Sequence, residues 1–515
     1  MGYLVMRGLA SPIPYYARAD IYSAGAALTI YLLTATAFSA SGKRIALLVA
    51  LLAFALCHVL VCLVQFGVGH NLIFIDALKT LEATTRPNGL YGGPDHLAWL
   101  LEMLGIFGLS IACWSRRPKT AKVLIGYLAL ACYIGVAFTG SRGGYLSVGS
   151  SLVVFALLSL IALRSGGGAL FWRWGAIGLI VLVSVAIAGS SLMQKSKTLS
   201  NRLANIVTVD HGRLDLWRAA IKQWKLQPWI GTGSGTYRFY GREFRGEQMQ
   251  QDPVAVHNDY LHLLGEYGIV GAVAFLLFLG IHLLRGWEGF RRLGPERVAA
   301  GTLPLGDRLA LNIGALSAIT AGLVHSLVDF NLHIPANAFL LALTFGFLAN
   351  RGVTPVEEWE QKGSSLQTRH RCRALILLSS ADACPGEYFA NRARVALAEE
   401  NPATAIEFTK RALTHEQANP KILFYLGRAL VAVGSQDPPG ENRNAYYEAA
   451  LAAFDKARLL NPLEGSYPLE MALVYDDLGR FDEAEWMYGL ARARDPNWLG
   501  FGDYYRTHLR TWEQG

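Results

Sequence analysis

The segment Val256 to Gly280, VHNDYLHLLGEYGIVGAVAFLLFLG, opens with His257, Asn258, His262 and Glu266 and is thereafter almost wholly apolar. Imidazole and carboxylate at the mouth of an apolar run can move protons, bind metal or hold a charged substrate, and each use demands its own spacing. Asn258, His262 and Glu266 recur at i, i+4 and i+8, so they share one face of a helix. His257 and His262 are five apart, about 140° around a helix, whereas two helical ligands of one metal are normally four apart. Zinc is therefore the weaker reading, no metal or cofactor is expected, and a single working histidine with polar support is the sharper reading.

Other ionisable residues fall at the ends of apolar runs. Asp95 and His96 open one run, with Glu102 about two turns deeper; Arg142 stands in FTGSRGGYLS; His325 and Asp329, in HSLVDFNLHIP, close another, and His333 follows. Such residues are costly inside a membrane and mark function more often than packing. The plain alternative makes them helix caps, with His325 and Asp329 satisfying each other at i,i+4. Between two runs lies a basic stretch, NRLANIVTVDHGRLDLWRAAIKQWKLQPWIGTGSGTYRFYGREFRG. In it Leu214, Trp217, Ile221 and Trp224 are spaced as an amphipathic helix, expected to lie on the bilayer with Arg213, Arg218 and Lys222 toward phosphate groups. The GTGSG that follows lacks the GK[ST] of a nucleotide loop and reads as a tight turn or close-packing site.

These residues need elements to hold them. The chain of 515 residues is 52% hydrophobic and 17% charged, with mean hydropathy +0.27, too apolar for a soluble protein throughout. Windows of about 20 apolar residues, the length that crosses a hydrocarbon core, recur over the first 350 residues. They predict nine spans, near 21–40, 45–66, 94–113, 121–139, 144–163, 174–191, 260–284, 309–329 and 335–350. Backbone satisfaction in lipid favours helices, so the fold class is an all-α transmembrane bundle.

Alternate links (41–44, 114–122, 164–173, 285–308) carry thirteen Lys or Arg, and the remaining short links three. By the positive-inside rule the first set is cytoplasmic. This puts the loop 192–258 and all the polar residues above on the extracytoplasmic side. The N-terminus is then outside without an apolar export core, so either an odd number of spans precedes residue 1 or the chain is naturally N-out. The six cysteines show no paired spacing.

A polar linker, 351–384, leads to a second domain, 385–515. Segments there end at ANP (Pro420), LNP (Pro462) and RDP (Pro496), 42 and 34 residues apart, and 34 is the tetratricopeptide period. The expectation is a soluble helical repeat domain in the cytoplasm that binds a protein partner; no nucleic-acid partner is indicated.

Cations and a histidine on the outer face, without a nucleotide motif, suit a substrate that arrives activated and lipid-bound. At these residues the chain resembles the O-antigen ligase and polymerase family. The ligase signature reads here His257, Asn258, nine residues, Gly268, two residues, Gly271; RPNGLYGGPDHLAWLLEM, TGSRGGYLS, GRLDLWRAAIKQWKLQPWIGTGSGTY and HSLVDFNLHIP follow the family's segments in order over residues 15–350. Asp95 stands where Asn is commoner. The resemblance implies a multi-pass bacterial inner-membrane glycosyltransferase that moves a saccharide from undecaprenyl pyrophosphate to an acceptor hydroxyl, without metal and with inversion. It further implies His257 as general base or acceptor-orienting group, Arg142, Arg213 and more weakly Arg86 on pyrophosphate, and Asn258, Glu266, His325 and Asp329 as supporting or acceptor contacts. The acceptor stays open among a lipid A core sugar, the first choice, another lipid-linked glycan, and a protein. A lipid-linked glycan transporter and a non-catalytic membrane scaffold are the rivals of another class.

Overall fold

The computed structural model describes residues 2–38, 40–70, 86–164, 211–293, 305–350 and 383–514. Among them every regular element is helical. The membrane part comprises α1 (Gly2–Leu9), α2 (Pro14–Thr36), α3 (Ser41–Val68), α4 (Pro94–Trp114), α5 (Lys119–Thr139), α6 (Arg142–Arg164), α7 (His211–Leu226), α8 (Tyr237–Phe244), α9 (Asp259–Leu293), α10 (Asp307–His325), a 3-10 turn (Asn331–His333) and α11 (Pro335–Ala349). Helices α3, α4, α5, α6, α9 and α10 are long and apolar enough to cross a membrane. The expected first and last spans are helical as α2 and α11; α2 falls outside that set and α11 is shorter, with 15 residues. The span expected at 174–191 lies outside the described residues.

Helices α4 and α10 are buried along most of their length, whereas α3, α5 and α9 turn residues such as Leu60, Leu124 and Leu277 outward. That division follows from the sequence: α4 and α10 place small residues where neighbours cross. A side chain on Gly314 would meet the Phe107 ring at 2.8 Å, the close approach that drives helix association in lipid. Proline at the first helical position starts both α4 and α11, where its missing N–H costs nothing.

The two ends of the bundle differ. At the basic end, expected to face the cytoplasm, Asp307 takes Arg117 at 2.9 Å and the Arg116 N–H at 2.9 Å, and buried Arg44 bonds Asn350 and the Phe38 carbonyl. At the other end α1 and the start of α2 meet the segment 228–237. Tyr3 Oη donates to the Tyr267 carbonyl at 2.9 Å, Arg7 to the Gly231 carbonyl at 2.6 Å, and Ser11 to the Ser234 carbonyl at 2.9 Å.

The tail forms α12 (Ala383–Ala398), α13 (Pro402–His415), α14 (Pro420–Gly434), α15 (Glu441–Leu460), α16 (Ser466–Asp477), α17 (Phe481–Arg494) and α18 (Phe501–Gln514), each packed on its neighbours in sequence. Asn401 and Asn419 cap the helices that begin at Pro402 and Pro420, so Asn-Pro marks a helix start.

The side on which the tail sits corrects an expectation. Arg18 pairs with Glu387 at 2.6 Å and also with Glu416; Arg242 pairs with Glu464 at 2.8 Å; Arg245 holds Asp495 through two nitrogens at 2.9 and 2.6 Å. Ile13, Phe239 and Leu463 form an apolar contact between them. The tail therefore packs on the same end as the loop holding α7 and α8. A cytoplasmic tail and an external loop cannot both hold. The sequence argument failed here because it placed the tail by the end of the last span, and Asn350 does lie at the opposite end, beside Arg44.

Candidate functional site

The site assembles from turns that buried side chains pin down. On α3, Gln65 accepts from the N–H groups of Asn88 and Gly89 at 3.0 and 2.9 Å and donates to the Gly89 carbonyl at 2.9 Å. The turn before α4 is thereby fixed, and Arg86 grips Asp95 bidentately at 3.3 and 3.1 Å while its Nε reaches the Thr139 carbonyl at 2.9 Å. Arg86 thus ties α4 to the end of α5. The α6 helix begins next to it: Ser141 Oγ accepts from the Gly144 N–H at 3.1 Å, and Arg142, half-buried, is the first helical residue.

Deeper on α4, buried Glu102 meets His325 Nδ1 at 3.1 Å. The His325 ring lies over Gly143, where a Cβ would stand 2.7 Å from it. The expected i,i+4 pairing of His325 with Asp329 is loose, at 4.0 Å. Asp329 instead spends Oδ1 on His257 Nδ1 at 3.0 Å and on the Phe330 N–H at 2.9 Å. Its buried Oδ2 has no hydrogen-bond partner and points between His325 and His96, whose Nδ1 is 3.8 Å away.

His257 is the most accessible member, 36% exposed against 2% for Asp329. Its φ of +52° takes the chain out of helical geometry just before α9, so the helical-wheel angle to His262 does not apply to it. Trp217 on α7 donates to the His257 carbonyl at 3.3 Å, and the ring edges onto Phe330 at 4.7 Å. One imidazole nitrogen is thus fixed by a carboxylate and the other is left for a ligand, the arrangement that makes a histidine an oriented base.

Asn258 caps α9: its Oδ1 accepts from the N–H groups of Tyr260 and Leu261, both at 3.0 Å. The next residue, Asp259, escaped the sequence reading although it organises the turn carrying Asp329. It accepts from Ser326 Oγ at 2.8 Å and the Leu332 N–H at 3.2 Å, pairs with His333 at 3.3 Å, and its N–H donates to the Ser326 and Asp329 carbonyls. Its place in a helix's first turn is a common one for Asp, so nothing in sequence singled it out.

His262 and Glu266 share a face as expected, 3.3 Å apart. Glu266 also accepts from the N–H groups of Gly235 and Tyr237 at 3.1 and 2.9 Å, so its carboxylate anchors the glycine-rich turn. That turn is a close-packing site. The Thr232 and Gly233 N–H groups donate to the carbonyls of Gly265 and Glu266, and Val270 donates to Trp229, across a break in α9 at Gly268 (φ 64°, ψ −168°). A Cβ on Gly268 would stand 2.4 Å from the Trp229 carbonyl oxygen. The first signature glycine is required by this backbone-to-backbone contact.

His262, Glu266 and His333 bring ligand atoms within 4.8 Å of one another. The imidazoles, however, stack nearly parallel, centroids 3.9 Å apart at 14°, so their in-plane lone pairs do not converge on one ion. Burial alone would lower the His333 pKa, but Asp259, with Asp20 and Glu266 nearby, pushes it up to about 9. The group is better described as ion-paired than as a metal centre.

The helix α7 forms as expected but uses a different face. Leu216, Ala219, Ala220 and Gln223 are buried, Gln223 bonding Thr232 and Thr236 at 2.8 and 3.1 Å; Ile221 is exposed, and Trp217 and Trp224 commit their indole N–H to His257 and Pro228 carbonyls. The small Ala pair lets the helix pack on protein where a bilayer contact was expected. Arg213 lies one turn before Trp217 on the same face, half-buried.

Residues 126–276 match the model of the O-antigen ligase family (Wzy_C). The matched stretch holds Arg142, Arg213, His257, Asn258 and Glu266; Arg86, His325 and Asp329 lie outside it. No curated protein matches the chain. The match covers less than a third of the chain and supports an O-antigen ligase-like region there, and with it a membrane glycosyltransferase-like class.

Proposed function

We propose that this protein transfers a saccharide from a polyprenyl pyrophosphate carrier to an acceptor hydroxyl at the extracytoplasmic face of the bacterial inner membrane. The observation that carries this reading is the His257–Asp329 pair: an exposed imidazole held at Nδ1 by a buried carboxylate. His257 Nε2 takes the acceptor hydroxyl proton as the oxygen attacks the anomeric carbon, with inversion. Asp329 holds the tautomer and steadies the imidazolium that forms. The leaving pyrophosphate departs onto Arg142 and Arg213, whose guanidinium forks suit phosphate oxygens; Arg86, already engaged by Asp95, is the lesser contributor. Asp329 is kept in place by the Phe330 N–H at its Oδ1 and the Asp259 N–H at its carbonyl, with the Glu102–His325 pair buried beside it.

Ligation to a lipid A core sugar is the first choice of acceptor, because the His257, Asn258, Gly268 and Gly271 spacing follows the ligase signature. Polymerisation and transfer to protein Ser or Thr share the same chemistry. The tail is read as tetratricopeptide-like and, from its contacts with α2 and α8, as extracytoplasmic. The test combines purified protein, an undecaprenyl pyrophosphate glycan and each candidate acceptor, without nucleotide or added metal. Transfer that vanishes in His257→Ala supports the reading; a well-folded His257→Ala protein with normal transfer sinks it.

A further inference from the structure

Where the tail meets the loop holding α8, an open cleft of about 280 Å3 is lined by tail residues together with Arg242 of α8. Its apolar lining comes from Leu469, Trp498 and the buried Ala491 and Phe501. The remaining walls are charged but balanced. Arg242 is 2.8 Å from Glu464, Asp495 is 2.6 Å from Arg245, and Arg494 is 3.5 Å from Glu243.

Each charge lining this cleft has an opposite partner, and that restricts the ligand. A phosphate or an acidic peptide is held by cations in excess, which the cleft lacks. A ligand that is neutral, apolar on one face and rich in hydroxyls on its edge matches both parts: ring C–H groups lie on the apolar lining, and hydroxyls bond to guanidinium and carboxylate edges. That is the chemistry of a pyranose. Pockets at domain junctions with an apolar lining and a few convergent polar groups are ordinary binding sites.

The position fits as well. Arg242 also grips Asp252 through two nitrogens, at 2.5 and 2.8 Å, and Asp252 precedes His257 by five residues. An extended chain of that length spans at most about 18 Å, so the cleft lies within reach of a short oligosaccharide whose end sits at His257. We propose that this cleft is a saccharide subsite that holds sugar units remote from the transfer point. The assignment rests on the glycan-transfer reading above.

The test uses the full chain in lipid nanodiscs. A printed array of lipid-free bacterial oligosaccharides identifies a neutral binder, and titration against that compound measures affinity. Trp498→Ala should weaken binding about tenfold or more, Trp498→Phe should largely restore it, and Ser466→Leu, which narrows the cleft, should weaken it independently. Glu407→Ala, on the exposed surface of the tail and outside the cleft, should bind like the parent protein. The assignment is overturned if no neutral oligosaccharide binds, if Trp498→Ala and Ser466→Leu proteins with parental melting temperatures bind as well as the parent, or if inorganic pyrophosphate competes for the same site. Its failure is separable from that of the transfer reading: transfer surviving in His257→Ala removes the latter and leaves oligosaccharide binding untouched.

Discussion

At the scale of single residues, the proposed transfer assigns proton removal to His257 and its positioning to Asp329. Removing the imidazole as His257→Ala should reduce transfer about 10²- to 10⁴-fold, the usual contribution of a positioned base. Asp329→Asn should lower kcat while leaving donor KM nearly unchanged, because the carboxamide holds the ring less well without touching substrate; a change confined to KM would contradict its positioning role. His333 makes a different prediction. Its pKa, pushed up to about 9 by Asp259, exceeds its ordinary value of about 6.5. The stabilisation is therefore fully present below pH 6.5 and is lost as pH rises through 9. Melting temperature should fall over that interval, and His333→Gln should flatten the fall; an unchanged profile in the variant would remove His333 as its source. The sequence exposed these residue types because imidazoles and carboxylates stand out against an apolar background. It did not expose their partners: Glu102 with His325, and Asp329 with His257, join residues 223 and 72 positions apart.

At the scale of elements, the break in α9 and the glycine-rich turn are one structure. Gly268→Ala puts a Cβ 2.4 Å from a carbonyl oxygen in a backbone conformation that costs of order 1–3 kcal/mol for other residues. It should lower the melting temperature and activity together. Gly280→Ala, in the same helix with nothing within 4 Å of the new Cβ, is the control and should be close to neutral. Equal effects of the two substitutions would argue against a special role for the break. Six of the nine expected spans were legible among the described residues, because roughly twenty apolar residues leave little alternative in lipid, and the glycine-rich turn was legible as a tight turn or close-packing site. Its partner was not, since the contact is made by main-chain groups that any residues carry. The face of α7 was misjudged for a related reason: Ala219 and Ala220 look neutral in an amphipathic pattern but are what permits close packing.

At the scale of the molecule, the tail is held by interactions of unequal weight. A partly exposed ion pair such as Arg18–Glu387, 25% and 44% accessible, lies nearer the surface pairs that contribute about 0.2–1 kcal/mol. Arg245, only 3% exposed and bound to Asp495 through two nitrogens, is a buried pair whose disruption costs roughly 3–5 kcal/mol. In a chain freed of native cysteines, Gln250→Cys and Asn497→Cys should be joined by a short bis-maleimide, because the Gln250 side chain spans the gap to the Asn497 carbonyl at 3.0 Å. Adding Arg245→Ala should reduce that cross-link far more than adding Arg18→Ala. Sidedness is tested by a membrane-impermeant maleimide: Ser435→Cys in the tail should label on intact cells, and Arg116→Cys only after permeabilisation. Labelling of both from one side would refute the orientation. Positive charges report the links between spans and say nothing about which face a folded domain finally covers, so the tail's position was not legible.

The pairing of Arg18 with Glu387 and Glu416 joins α2 to a domain made some hundreds of residues later. At about 5–20 residues per second, roughly 20–80 s of synthesis separate the two ends of that contact. During that interval the start of α2 has no tail to cover it; Arg242 has Asp252 of its own loop but not Glu464, and Arg245 lacks Asp495. Completion of this end of the molecule is thus a late event in biogenesis. A ribosome stalled before residue 383 should leave a membrane-inserted protein with Arg18 and Arg245 uncovered.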